Sequence, residues 1–197
     1  MGCWDWNDVP SQTGSMAGAP PAAKLAASIV PGPKLDAEYE ADVAIKTGLP
    51  QLSLIEWSIS DEVPQLFELL RMSGSTCGYV VNQIEQFRPA STFRKIELTT
   101  EIAEAIASDS AMDMPMAFVD ERCVCALVSF HSDYALMCLE PNLFGKWLKA
   151  NPKDLTMWAG EEPWPLADNL PFAQELARKR LISWNEYIRQ SRSIAPS

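Results

Sequence analysis

Apolar and polar positions along this chain repeat with two different periods, and the switches between them mark out its elements. "LDAEYEADVAIKTG" reads as a short helix closed by Gly48, and "QLSLIEWSI" sets Ile55, Trp57 and Ile59 on one face, as a half-buried strand does. Ser60 then caps a helix over "SDEVPQLFELLRM". Asp61 and Glu62 lie in its first turn, Pro64 is early enough to be tolerated, and Val63, Leu66, Phe67 and Leu70 share a face that ends before Gly74. In "CGYVVNQIEQF" the β-forming Tyr79, Val80 and Val81 favour a strand in the first half. "STFRKIEL" reads as another strand, and "TTEIAEAIAS" as a helix capped by Thr99 or Thr100, with Ile102 and Ile106 one turn apart. Three strands follow, "MPMAFV", "CVCALVSF" and "YALMCLE", separated by the short polar turns "DER" and "HSD" that antiparallel hairpins require. A helix "NLFGKWLKA" follows Pro141. The Pro- and Trp-rich "EEPWPLADNLP" then leads to a last helix with Ala177, Leu181, Trp184 and Ile188 on one stripe.

Helices and strands alternate first and a meander ends the series. This predicts an α/β or α+β domain: a mixed sheet with a C-terminal antiparallel meander and helices packed on it. The three meander strands are apolar on both faces and are expected at the centre, covered on both sides. Residues 1–34, rich in Pro, Gly, Ala and Ser, show no periodicity that would feed a core and read as a flexible N-terminal extension, leaving 35–197 as one globular domain. Trp4 and Trp6 stand apart within that extension. Two tryptophans are costly to leave in water, so they either dock back on the domain or form a short binding segment.

Composition narrows the class. The chain of 197 residues, 47% hydrophobic, has no run of 18 apolar residues, and Asp5 and Asp8 stand where a secretory signal would need basic residues. Five cysteines without a regular framework read as reduced thiols, and the expectation is a cytoplasmic protein with no membrane partner. The net charge of −10 argues against nucleic acid, whose binding depends on neutralising phosphates, and favours a basic protein partner. Arg178, Lys179, Arg180, Arg189 and Arg192 against Glu175 and Glu186 make residues 171–197 +3, so the remainder stands at −13.

Candidate chemistry concentrates in "MAFVDERCVCALVSFHSDYALMCLE", which holds the only histidine and three of the cysteines. A cysteine–histidine hydrolase needs a ring nitrogen within reach of an activated thiol. His131 and Asp133 fall instead in a hairpin turn, and nothing marks Cys77, Cys123, Cys125 or Cys138 as activated. Cys123 and Cys125, two apart on a strand, would point to one face near Cys138, but His131 is too far along for a four-ligand zinc site, and C-x-C lacks the usual knuckle spacing. No metal and no cofactor are therefore expected. Asp120 and Glu121 end a strand, and Glu161 and Glu162 precede Pro163, positions where acids either act or simply solvate a turn. The glycine-rich nucleotide motifs, G-x-S-x-G and H-E-x-x-H are all missing.

The passage "PMAFVDERCVCALVSFHSDYALMCLEPNLFGKWLKA", within residues 114–150, resembles the C-terminal part of phospholipase D-like sensor domains of bacterial regulators in its order of strand, "VD" turn, two apolar strands and helix. Catalytic members of that family carry His-x-Lys followed, after four residues, by Asp. With that Asp aligned on Asp120, Asp113 and Pro115 stand where the His and Lys belong. The resemblance therefore implies a non-catalytic relative that binds rather than cuts.

These readings converge on a non-catalytic, acidic protein-binding protein, an immunity or antitoxin-type inhibitor or a regulator of a basic partner. Trp4, Trp6, Asp120, Glu121, Glu161, Glu162 and Trp164 are its candidate contact residues. The alternative is a small hydrolase that depends on a cysteine or a carboxylate.

Overall fold

Seven strands hydrogen-bond into one sheet in the computed structural model, which describes residues 10–30, 37–49, 51–55, 59–82, 91–107, 116–131 and 134–151. In chain order the elements are β1 (Gln12–Ser15), a 3-10 turn (Met16–Gly18), α1 (Pro21–Ile29), α2 (Ala37–Thr47), β2 (Gln51–Ile55), α3 (Ile59–Met72), β3 (Cys77–Asn82), β4 (Thr92–Glu97), α4 (Thr100–Ala107), β5 (Met116–Asp120), β6 (Cys125–His131), β7 (Tyr134–Leu139) and α5 (Pro141–Ala150). The strands lie in the order β1-β4-β3-β5-β6-β7-β2.

The domain is α+β, as the alternation of elements implies, and the meander β5-β6-β7 is present. The sheet is antiparallel at every described pairing rather than mixed. The reason is topological. Helical connections do join strands of the same direction, β4 to β5 through α4 and β2 to β3 through α3, but neither pair is adjacent. β3 lies between β4 and β5, so the crossover that would create a parallel ladder spans a neighbour instead.

Both faces of the sheet are covered. On one, Leu66, Phe67 and Leu70 of α3, Ile102 and Ile106 of α4, and Leu143, Phe144 and Trp147 of α5 pack on Val80, Ile96, Phe118, Leu127 and Met137. On the other, Ala22, Ala26 and Ile29 of α1 and Val43 of α2 pack on Val81, Ala117, Val119, Val128 and Leu136. Neighbouring residues of one strand feed opposite layers, the period-2 signature of a strand buried on both sides. Helix ends follow the local chemistry. Thr99 Oγ1 accepts from Ile102 N at 3.2 Å to cap α4, Pro141 opens α5, and Gly48 and Gly74, at φ +64° and +94°, follow the ends of α2 and α3.

The expectation of a flexible extension over residues 1–34 does not hold for residues 12–29. β1 pairs with β4 at the sheet edge, and α1 is a core helix. Its signal was present as Pro20-Pro21 followed by Ala22, Ala26 and Ile29 at helical spacing. Proline at the first helical position organises rather than breaks a helix, and alanine lets it approach the sheet closely. α2 secures the C-terminus of α1: Tyr39 donates its hydroxyl to Ile29 O, and Lys46 Nζ donates to Ser28 O at 2.7 Å while pairing with Asp42. A cation at that end also suits the helix dipole. Trp57 and the predicted helix carrying Ala177, Leu181, Trp184 and Ile188 lie outside the described residues. No helix among the described residues is long and apolar enough to cross a membrane.

Gly78 has a packing role. The Phe118 ring lies over it and stacks on Phe67 at 5.8 Å, so a methyl at position 78 would come within 2.1 Å of the ring. Gly78→Ala is therefore expected to displace Phe118 and lower stability by about 1–3 kcal/mol in urea denaturation.

Candidate functional site

The strand-end acids Asp120 and Glu121 sit side by side in sequence and are used in opposite ways. Asp120 closes β5 and is fully buried. Its Oδ1 accepts from Val124 N at 2.8 Å and Cys125 N at 2.7 Å, and its Oδ2 accepts from Ser75 Oγ at 2.7 Å and Arg122 N at 3.1 Å. Three backbone donors of the β5–β6 turn and one hydroxyl of the α3–β3 loop thus converge on one carboxylate. Arg122 adds a guanidinium bond to Ser73 O, and Glu121 N donates to Cys77 O at 3.0 Å. The turn holds Cys123 at φ 56°, a left-handed conformation costing on the order of 1 kcal/mol for a side chain of this kind, which the surrounding bonds sustain. Asp120 is therefore not a partner-contact residue. With no exposed surface and four donors already on it, its carboxylate holds the turn together.

Glu121 points outward and stays on the surface. Its Oε1 accepts from Thr76 N at 2.6 Å, Thr76 Oγ1 at 2.8 Å and Cys77 N at 3.4 Å, and its Oε2 accepts from Cys77 Sγ at 3.3 Å. These bonds, led by the Thr76 backbone N–H, lower its pKa from 4.5 to about 2.

Strand register places this carboxylate at the corner of a mixed patch. Cys77 faces Glu97 across β3–β4, and Tyr79 faces Lys95, which faces Gln12 on β1. Phe93 faces Gly14 and meets Tyr79 edge-on, centroids 5.6 Å apart at 70°. Tyr79 and Phe93 border the α1 layer and are half-buried, as is Lys95, while Gln12, Thr76, Glu97 and Glu121 are exposed. Burial raises the Tyr79 pKa, with further contributions from Cys77 and Glu121, and Lys95 acts electrostatically on Cys77 in the opposite sense.

Among the described residues, no thiol carries the marks of an activated nucleophile. Burial, and then Glu121, push Cys77 upward; burial and Asp120 do the same to Cys123; and the fully buried Cys125 is held well above the ordinary thiol value by burial, Asp120 and Cys138. Each shift disfavours the thiolate that a nucleophile requires. Cys125 lines the α3–α5 layer, whereas Cys123 and Cys138 border the α1–α2 layer, so the C-x-C pair is not gathered on one face. Cys123 lies in the turn before β6 rather than on it. Among the described residues no group of three or more His, Cys, Asp or Glu is placed to hold a metal ion. His131 is the last residue of β6, paired with Tyr134, rather than part of the turn.

Trp4, Trp6, Glu161, Glu162 and Trp164 lie outside the described residues. Tyr79, Phe93, Lys95 and Glu97 belong to no sequence motif that marks them as site residues. Their shared face follows from equal parity within "CGYVVN" and "TFRKIE", but only the Cys77↔Glu97 register brings the two strands' odd positions together. No family model, curated protein or solved structure matches the chain.

Two outcomes follow from the paired acids. Asp120→Asn replaces an accepting oxygen with a donor beside Ser75 Oγ or a turn N–H, and should cost about 1–3 kcal/mol in denaturant unfolding. For Glu121, a folded-state pKa below the unfolded value gives stability that is present above about pH 4.5 and lost as pH falls towards about 2. Glu121→Gln should therefore be less stable than the parent near neutrality. In acid titrations followed by circular dichroism, the gap should close across that window.

Proposed function

We propose that this is a non-catalytic binding protein whose partner is a basic protein, in the manner of an immunity protein, an antitoxin-type inhibitor or a regulator. The observation that carries the reading is the division of labour at the end of β5. Asp120, the strand-end acid best placed for carboxylate chemistry, is consumed in holding its own turn, while Glu121 keeps a fixed charge on the surface of a body whose first 170 residues stand at −13. The upward shifts of Cys77, Cys123 and Cys125 weigh against the cysteine-dependent hydrolase. The resemblance of residues 114–150 to phospholipase D-like sensor domains points the same way, because Asp113 occupies the position of the nucleophilic histidine. In such a protein the acidic field speeds encounter with a basic partner, and a few desolvated aromatic side chains supply most of the affinity.

The test is retention of proteins on the immobilised full chain at low salt, followed by stopped-flow kinetics with the retained partner. The expected result is a partner of high isoelectric point whose association rate falls steeply as salt rises, because surface charges are screened beyond about 8 Å at physiological ionic strength. Retention of acidic proteins alone, or association rates indifferent to salt, would overturn the reading.

A further inference from the structure

We infer that the partner docks on the corner of the sheet formed by β1, β4 and β3, where Tyr79 and Phe93 lie beside a row with a carboxylate at each end, and that it presents an arginine side chain there. This rests on the reading that the partner is a basic protein. On this face α1 covers Val81, Ala117 and Val119, while the neighbouring Tyr79 and Phe93 are only half-buried. The strand register turns the corner into a small grid. One row runs Glu97, Cys77, Glu121 across β4, β3 and the end of β5; the next runs Gln12, Lys95, Tyr79; and Phe93 opposite Gly14 begins a third.

An aromatic centre with a charged, exposed rim is the arrangement through which protein interfaces concentrate their energy. The charges decide the occupant. Glu121 is fixed by Thr76 and Cys77 before any partner arrives, its Oε1 taking three of the four donors. Its exposed carboxylate leaves Oε2, which among the described residues accepts only from the Cys77 thiol, for a cation to meet with little loss of side-chain entropy. Glu97 stands at the other end of the row, on the far side of Cys77. Among the described strand residues of this corner Lys95 is the like charge; lying one row in, it repels a cation from the Gln12 side and directs it to the carboxylate row. Guanidinium fits this site better than ammonium because it can lie flat on an aromatic ring while donating in its plane to a carboxylate.

The experiment uses the isotope-labelled full chain and a short Gly/Ser peptide with a single arginine, compared with the same peptide carrying neutral citrulline, read by amide chemical shifts. Shifts at residues 76–79, 93–97 and 121 with the arginine peptide alone support the site. Glu97→Gln, an exposed change that leaves the fold intact, should weaken the peptide roughly two- to fivefold, and Tyr79→Leu should weaken it further. Glu101→Gln with Glu104→Gln, exposed acids of α4, should leave it unchanged. Equal shifts with citrulline, or equal weakening by the α4 pair, would overturn the site. A basic partner whose binding shifts amides elsewhere would overturn the site while leaving the proposed function standing. Absence of any basic partner would overturn that function, and the peptide result would then decide the site alone.

Discussion

A carboxylate removed from water must have its lone pairs answered, or its burial costs more than a small domain can offset. Asp120 meets that demand with donors from two chain segments about 45 residues apart, the α3–β3 loop and the β5–β6 turn. The position of the central strands follows from this. β3 and β5 are neighbours, and the bonds from Ser75 and Arg122 lock their shared end so that Gly78 can lie beneath Phe118 and Phe118 can reach Phe67. The left-handed Cys123 and the start of β6 at Cys125 are held by the same anchor. A tight turn beside a buried charge is thus what aligns the meander with the rest of the sheet.

That anchor also explains why the patch at the β1–β4–β3 corner has its geometry. Once the turn is fixed, Glu121 follows immediately after a rigid strand end, and Thr76 and Cys77, part of the same junction, are positioned to hold it. The outward acid inherits its precision from the inward one. Its low pKa results from backbone and hydroxyl donors set by the fold rather than from a neighbouring cation.

Much of the architecture was legible because it depends on local periodicity. The double-sided apolar runs of "MAFV", "CALVSF" and "YALMCL" marked the central strands, and the face of Val63, Leu66, Phe67 and Leu70 marked α3. Strand order was not legible, since whether α4 returns the chain beside β4 or beyond β3 depends on contacts far apart in sequence. The core role of Ala22 and Ala26 was obscured because alanine carries little hydrophobic signal and the flanking prolines suggest a linker. At the site, parity showed which residues of one strand share a face, but not that Asp120 turns inward while Glu121 turns outward. Alternation puts the two on opposite faces; what it does not carry is that the β5–β6 turn folds over the first and leaves the second exposed.

The two helical layers differ in kind. One fills its space with leucine, phenylalanine and tryptophan, while α1 brings mainly alanines against the other face, with a close approach but little apolar area withdrawn from solvent. α1 is also held at its far end by side chains of α2, beside the fully buried Ile29. Local opening free energies follow the apolar area a layer withdraws, so this layer rests on the smaller share of that driving force. Whatever settles beside Tyr79 and Phe93 therefore sits at the border of the more thinly filled of the two layers, and occupancy there would be felt as added protection of that layer's amides from exchange.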